Sequence, residues 1–215
     1  MISLHKKEKP NILKEKEEAW TNLLLSYVKE KQKIPPSLSK NYRHPDIKKA
    51  LLSETHGKCA YCESRITHID YGDIEHILPK SKNPELTFAW DNFTISCRKC
   101  NQSKADYDDK NLPLLNPYKD FPEQEIFFLG PIPFANPKND RALISLKRLK
   151  LDRMELIEKR SEFIEQTLSP LVQLYEKTQN EVVKKEIKQD ILALKEPASE
   201  FSSMSKQILE KYKLI

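Results

Sequence analysis

Two C-x-x-C pairs constrain this chain more than any other feature: Cys59-Ala-Tyr-Cys62 and Cys97-Arg-Lys-Cys100. Each pair sets two thiols close enough to grip one ion through a tight knuckle. Four thiolates at about 2.3 Å complete a tetrahedral Zn2+ site; with every position filled by sulfur no water can bind, so the ion is structural. In a reducing compartment such pairs read as a metal site rather than as two disulfides. A zinc held by Cys59, Cys62, Cys97 and Cys100 ties the intervening chain together and supplies folding energy that a small sheet lacks. Four merely reduced, buried cysteines would not need this spacing.

Around these knuckles the chain is polar, with 215 residues, 38% hydrophobic and 32% charged. A chain of this length still buries about 70% of the surface it exposes when unfolded. No apolar run is long enough to cross a membrane. The opening Met1-Ile2-Ser3-Leu4-His5-Lys6-Lys7 lacks the apolar core of a secretory leader, so a cytoplasmic setting is expected. The only glycines, Gly57, Gly72 and Gly130, are too far apart for a P-loop or a dinucleotide-binding turn, so the chain is not itself a P-loop NTPase. A formal charge of +5 suits a polyanionic partner without demanding one.

Apolar spacing predicts a helix from Asn11 to Lys33 through Leu13, Trp20, Leu24 and Val28, with Leu23 and Tyr27 widening the stripe and Pro35-Pro36 ending it. Pro45 suits the first turn of a short helix carrying Ile47, Leu51 and Leu52, with Gly57 as its cap. Ile66, Ile69, Ile74 and Ile77 around Tyr71-Gly72-Asp73 read as a hairpin. A proline-rich stretch from Leu112 to Pro137 holds one strand-like run, Glu125 to Leu129, halted by Gly130-Pro131. Beyond it the chain reads as helical, with Asp152 as a cap, a kink at Pro170, and two last helices over about 180–195 and 199–213.

Chemistry concentrates between the knuckles. Asp73-Ile74-Glu75-His76-Ile77-Leu78-Pro79-Lys80 places a carboxylate directly before a histidine on a short strand. Adjacent strand residues face opposite sides, so the two can share one centre only near a strand end or bulge. Downstream, Trp90-Asp91-Asn92-Phe93 leads to the second knuckle, where a helix would turn Asn101 and Lys104 the same way. His5, His44, His56 and His68 read as surface or capping residues. The basic cluster Lys147, Arg148, Lys150 and Arg153 reads first as a solvated helix face, with phosphate contact as the sharper alternative.

At these residues the sequence resembles the HNH endonuclease family, whose core is a zinc-bound ββα-metal finger. The resemblance rests on C-x-x-C, D-x-E-H-I-x-P, a tryptophan–asparagine segment and C-x-x-C-N-x-x-K, in that order over about residues 57–106. It implies His76 as general base, with Glu75 and Asn101 as ligands of a catalytic Mg2+ or Mn2+. Asn92 would hold the loop that orients the base, Asp73 would play a supporting part, and Lys104 would contact phosphate. Elementary chemistry agrees: a neutral imidazole can take a proton from water, and a cation on oxygen ligands neutralises phosphate charge. Hard oxygen donors favour Mg2+, while the four sulfurs favour zinc.

A narrower likeness extends further. Cys59-Ala-Tyr-Cys62-Glu63, the Glu-His motif with Pro79-Lys80, Trp90-Asp91-Asn92, and Leu115-Asn116-Pro117-Tyr118 before a helical tail are similar to the nuclease subunits of Septu-type anti-phage systems. That likeness implies an ATPase subunit as partner, supplying the P-loop missing here; some members accompany retrons. Ile77-Leu78 departs from it, where an aromatic would be expected after the histidine. The expected architecture is α+β and mostly helical: an N-terminal helical segment (1–44), an HNH nuclease core (45–110), an ordered connector (111–140) and a C-terminal helical region (141–215). The expected activity is metal-dependent cleavage of nucleic acid, DNA before RNA such as tRNA. The rival reading is a non-catalytic zinc module that binds nucleic acid or an ATPase.

Overall fold

The first helix stops where a residue turns left-handed. The computed structural model describes residues 1–66 and 72–214. Helix α1 (Asn11–Lys29) buries Leu13 and Leu24. It ends short of the expected Lys33 because Lys31 takes φ +54° and Gln32 N–H closes back on the Tyr27 carbonyl at 2.9 Å. Leu23 and Val28 are exposed, so the buried stripe is narrower than its spacing suggests. Pro36 then opens a short helix, α2 (Pro36–Ser39).

Helix α3 (Pro45–Glu54) has Pro45 in its first turn and His44 as its cap, the imidazole accepting from Asp46 N–H at 3.2 Å. Gly57, at φ +70°, returns its N–H to the Leu52 carbonyl (2.9 Å) and turns the chain into the first knuckle. His5 and His56 are exposed. His68, Ile69 and Tyr71 lie outside the described residues.

The small sheet differs from the expected hairpin. Strand β1 (Asp73–His76) pairs antiparallel with β2 (Phe93–Ser96), in the register Asp73↔Ser96 to His76↔Phe93. Ile77 is not part of the strand. The partner is therefore found across the 77–92 connection, because Phe93 and Ile95, both fully buried, bring β2 against α3 and the core. Cys97 follows β2 directly and caps α4 (Arg98–Lys104), its sulfur accepting from Cys100 N–H at 3.5 Å. The order β1, β2, α4 is a ββα unit.

The connector holds two strands rather than one: β3 (Ile126–Leu129) pairs with β4 (Ile132–Ala135) around Gly130-Pro131. Pro133 is tolerated because it opposes Phe128 at a position whose N–H groups point away from the partner strand; Phe128 N–H goes instead to Gln207 Oε1 at 2.9 Å. Helix α5 (Asp140–Arg148) follows, then α6 (Met154–Phe163), which Asp152 does not cap: its carboxylate pairs with Lys147 at 2.5 Å, and Arg153 occupies the cap position. Pro170 acts upstream of itself, with a π-helical turn at Ile164–Leu168 joining α6 to α7 (Ser169–Lys177). A widened turn accommodates a ring that lacks an N–H and crowds the preceding turn. Helix α8 (Glu181–Ala193) is capped by Asn180, and α9 (Ser202–Lys211) follows Phe201 at φ +51°.

The result is an α+β, mostly helical chain. One continuous core runs through Leu13, Tyr42, Leu51, Tyr61, Phe88, Phe93, Leu115, Ile126, Leu149 and Met204, joining all the segments to the ββα unit. Ile187, Ile191 and Leu209 form a small second cluster between α8 and α9.

Candidate active site

The first knuckle is shaped by its own backbone: Cys59 N–H donates to the Ser64 carbonyl (2.9 Å) and Glu63 N–H to the Cys59 carbonyl (3.0 Å). Ala60 N–H donates to Ile95 O (2.9 Å), fastening the knuckle to β2. The second knuckle is the junction of β2 and α4. The four sulfurs consequently lie within 4.8 Å of one another. Four sulfurs each about 2.3 Å from one ion would sit about 3.8 Å apart, so Cys59, Cys62, Cys97 and Cys100 fit a structural zinc. Burial pushes the Cys59 thiol up, while hydrogen bonds from the other thiols pull Cys62 down. Arg153 donates to Cys100 Sγ (3.7 Å) and to the Lys150 carbonyl (2.9 Å). Burial works against its charge, but the neighbouring thiolates outweigh it and hold the guanidinium cationic. The basic cluster is thus dispersed: Arg153 serves the thiolates, Lys147 pairs with Asp152, and Arg148 lies over the Tyr107 ring at 4.8 Å.

Glu75 and His76 sit at the end of β1, where both are buried, at 5% and 7% exposure. His76 Nε2 lies 2.9 Å from the Thr87 carbonyl. A carbonyl only accepts, so the neutral ring carries its proton on Nε2 and leaves the Nδ1 lone pair free. Tyr42 and Phe93 meet the imidazole edge-on, at centroid distances of 4.8 and 5.1 Å. Burial is the main force lowering its pKa, to about 4, against the Thr87 contact; Lys80 and Lys104 lower it further. The ring is therefore neutral at physiological pH.

On the α4 side, Lys104 Nζ stands 2.7 Å from Glu75 Oε1 and donates to the His76 carbonyl at 2.9 Å. Burial pushes the Glu75 carboxyl up, and the Lys104 ammonium opposes the rise. Asn101 donates its amide N–H to Asp73 Oδ2 at 3.0 Å. Asn101 and Lys104 do face the same way, one turn of α4 laid along β1. Lys104, however, is only 3% exposed and engaged with Glu75 and the strand end, so it is a strut under the site rather than a hand extended to phosphate.

Asn92 is buried and clasps the connection between the strands. Its Oδ1 accepts from Leu78 N–H (2.8 Å), and its Nδ2 donates to the carbonyls of Leu78 (2.9 Å) and Leu86 (3.2 Å). That loop carries Thr87, so Asn92 is linked through it to His76.

Glu75, Asp73 and the Asn101 side-chain oxygen are hard donors suited to Mg2+ or Mn2+. Among the described residues the four cysteines form the only group of three or more His, Cys, Asp or Glu side chains able to converge on a metal. A Glu–Asn pair fits an ion that keeps most of its waters.

Several residues beside His76 were not singled out from the sequence. Thr87 fixes the ring, and Phe88 behind it packs against Trp20 of α1 at 5.5 Å. Trp20 Nε1 in turn donates to the Asn41 side-chain oxygen at 3.2 Å, next to Tyr42 and Arg43. Lys80 Nζ donates to Tyr42 Oη at 3.1 Å. Only Lys80 had a local signal, in the Pro79-Lys80 step after the Glu-His strand.

Among the described residues no helix is long and apolar enough to cross a membrane. Residues 59–106 match the HNH endonuclease family. The chain is 42% identical over 83 residues, 38% of its length, to the Septu protein PtuB of Bacillus thuringiensis. It is 32% identical over 154 aligned positions, 56% of its length, to a Septu protein PtuB of Bacillus mycoides strain KBAB4. These matches span 32% and 51% of the relatives' own lengths. Residues 59–106 are therefore an HNH endonuclease domain, in a chain similar to the Septu protein PtuB.

Proposed function

We propose that the chain is a metal-dependent endonuclease that hydrolyses phosphodiester bonds, with DNA preferred over RNA. The observation that carries this is His76: a buried, neutral imidazole whose Nε2 is engaged by Thr87 and whose Nδ1 lone pair is free. Such a ring accepts a proton from water as that water attacks phosphorus. The bond to the 3′-oxygen breaks and that oxygen takes a proton from solvent water, leaving a 5′-phosphate and a 3′-hydroxyl. Glu75 and Asn101 would hold the divalent cation, which when bound would supply charge neutralisation on the phosphate. Asp73 orients Asn101, Lys104 holds Glu75 and the strand end in place, and Asn92 holds the Thr87 loop. The four cysteines and their zinc keep the frame rigid.

The likeness to Septu proteins supports a role as effector nuclease of an anti-phage complex, in the cytoplasm, beside a PtuA-like ATPase subunit. The test is cleavage of plasmid DNA and of total RNA by wild type and His76→Ala, with Mg2+, with EDTA, and with a co-purifying ATPase. Metal-dependent cutting should fall roughly 10²- to 10⁴-fold in the variant, with zinc content and fold retained. Equal behaviour of the two proteins, folded and zinc-loaded, would favour the non-catalytic binding module.

A further inference from the structure

Beside His76, two cationic side chains from distant segments turn their donors to one tyrosine oxygen. Arg43 Nε donates to Tyr42 Oη at 3.4 Å and Lys80 Nζ to the same oxygen at 3.1 Å. The Lys80 ammonium also lies over the Tyr42 ring, 4.3 Å from its centroid, and that ring meets the His76 imidazole. Among the described residues neither Arg43 nor Lys80 has a carboxylate within ion-pair distance. Arg43 is exposed and Lys80 half-buried, so both are open to a ligand.

The donor count identifies that ligand. Tyr42 Oη accepts from both cations, which among the described residues leaves its own O–H as a donor for a further partner. Lys80 keeps two N–H groups and Arg43 its two terminal nitrogens, and none of these is an acceptor. A cluster of two positive charges offering only donors selects an acceptor-only anion, and a planar guanidinium beside an ammonium suits a phosphate group. We propose that Tyr42, Arg43 and Lys80 form a phosphate clamp that seats a phosphodiester beside His76. Two of its three members come from outside the HNH domain, from the turn that Trp20 anchors through Asn41. The inference rests on the nuclease reading for its phosphodiester, but not for its phosphate.

Two measurements separate the two. The first is binding of a fluorescently labelled DNA duplex in a His76→Ala background, across a salt series. Arg43→Ala and Lys80→Ala should each weaken binding several-fold and lower the slope of log K against log salt by about 0.9, the value of one phosphate contact. Lys188→Ala, an exposed lysine on α8, should change neither. The second is titration of inorganic phosphate while following the His76 imidazole by NMR: the resonance should move in wild type and stay still in Lys80→Ala. Tyr42→Phe keeps the ring against His76 and should raise KM with little effect on kcat, because it loses only the shared hydroxyl. Arg43→Ala removes an exposed side chain and Lys80→Ala a half-buried one outside the core, so circular dichroism should match wild type. Unchanged salt slopes in both variants, with DNA still bound and still cut by the protein that keeps His76, would overturn the clamp and leave the nuclease standing. A phosphate response without binding or cleavage of nucleic acid would keep the clamp and overturn the nuclease.

Discussion

At His76, burial sets the protonation state against the opposing pull of a single carbonyl contact. A pKa of about 4 in the fold against about 6.5 in the unfolded chain means that the unfolded state binds more protons between those values. The stability this provides is complete above about pH 6.5 and is lost as pH falls towards 4, roughly 2 kcal/mol of it between pH 7 and 5. Urea unfolding of wild type and His76→Gln at both pH values isolates the contribution, since the cysteines titrate alike in both proteins. An equal pH dependence in the two would show that His76 is not held neutral. Backbone strain is found at Ala105. It ends α4 at φ +50° and ψ −130°, a conformation natural to glycine. Ala105→Gly should stabilise the protein by about 1 kcal/mol, read as a higher denaturant midpoint, because the removed strain exceeds glycine's extra unfolded-state entropy.

Among the elements, the 77–92 connection most needs explaining, since it has little regular structure yet must hold Thr87 against His76. One side chain stands in for a strand: Asn92 makes three hydrogen bonds to the loop backbone, and Ile77 N–H closes on the Asn92 carbonyl at 2.8 Å. Asn92→Ala leaves the Leu78 N–H and two carbonyls without these partners. It should cost about 2–3 kcal/mol and speed hydrogen exchange at the Leu78 amide, while zinc stays bound. Retention of wild-type protection at Leu78 would show that the loop is held by other contacts.

Across the whole molecule the four-cysteine site reaches beyond its own domain. Glu63, next to Cys62, accepts from Ser202 Oγ (2.9 Å) and Ser203 N–H (3.2 Å), so the first knuckle seats the start of α9. Burial alone would raise its carboxyl, but the Met1 amino group and Lys58 hold it at about 2. Cys97→Ser, or zinc removal by a strong chelator, is expected to unfold the 59–106 unit and loosen α9 with it, because structural zinc binding is folding free energy. Zinc release measured beside far-UV circular dichroism tests this, and a folded, fully helical apo-protein would contradict it.

The sequence by itself determined the pieces whose chemistry is local. Cysteine spacing marked the four-sulfur cluster, the Glu75-His76 step marked a buried carboxylate–imidazole pair at a strand end, and the three-residue offset of Asn101 and Lys104 put both against β1. Proline and glycine marked both ends of α3 and the break near Pro170, and the misplacements elsewhere are small: Lys31 rather than the prolines stops α1, and Lys147 takes the Asp152 carboxylate that was to cap α6. Only the tertiary structure decided which strand β1 joins, which nitrogen of His76 keeps its proton, that Lys104 is sealed under Glu75, and that Tyr42 and Arg43 arrive beside His76. Each of these depends on a contact between segments far apart in the chain, such as Thr87 with His76 or Trp20 with Asn41. Such contacts are selected by burial and hydrogen-bond satisfaction in the packed whole, not by any spacing along the sequence.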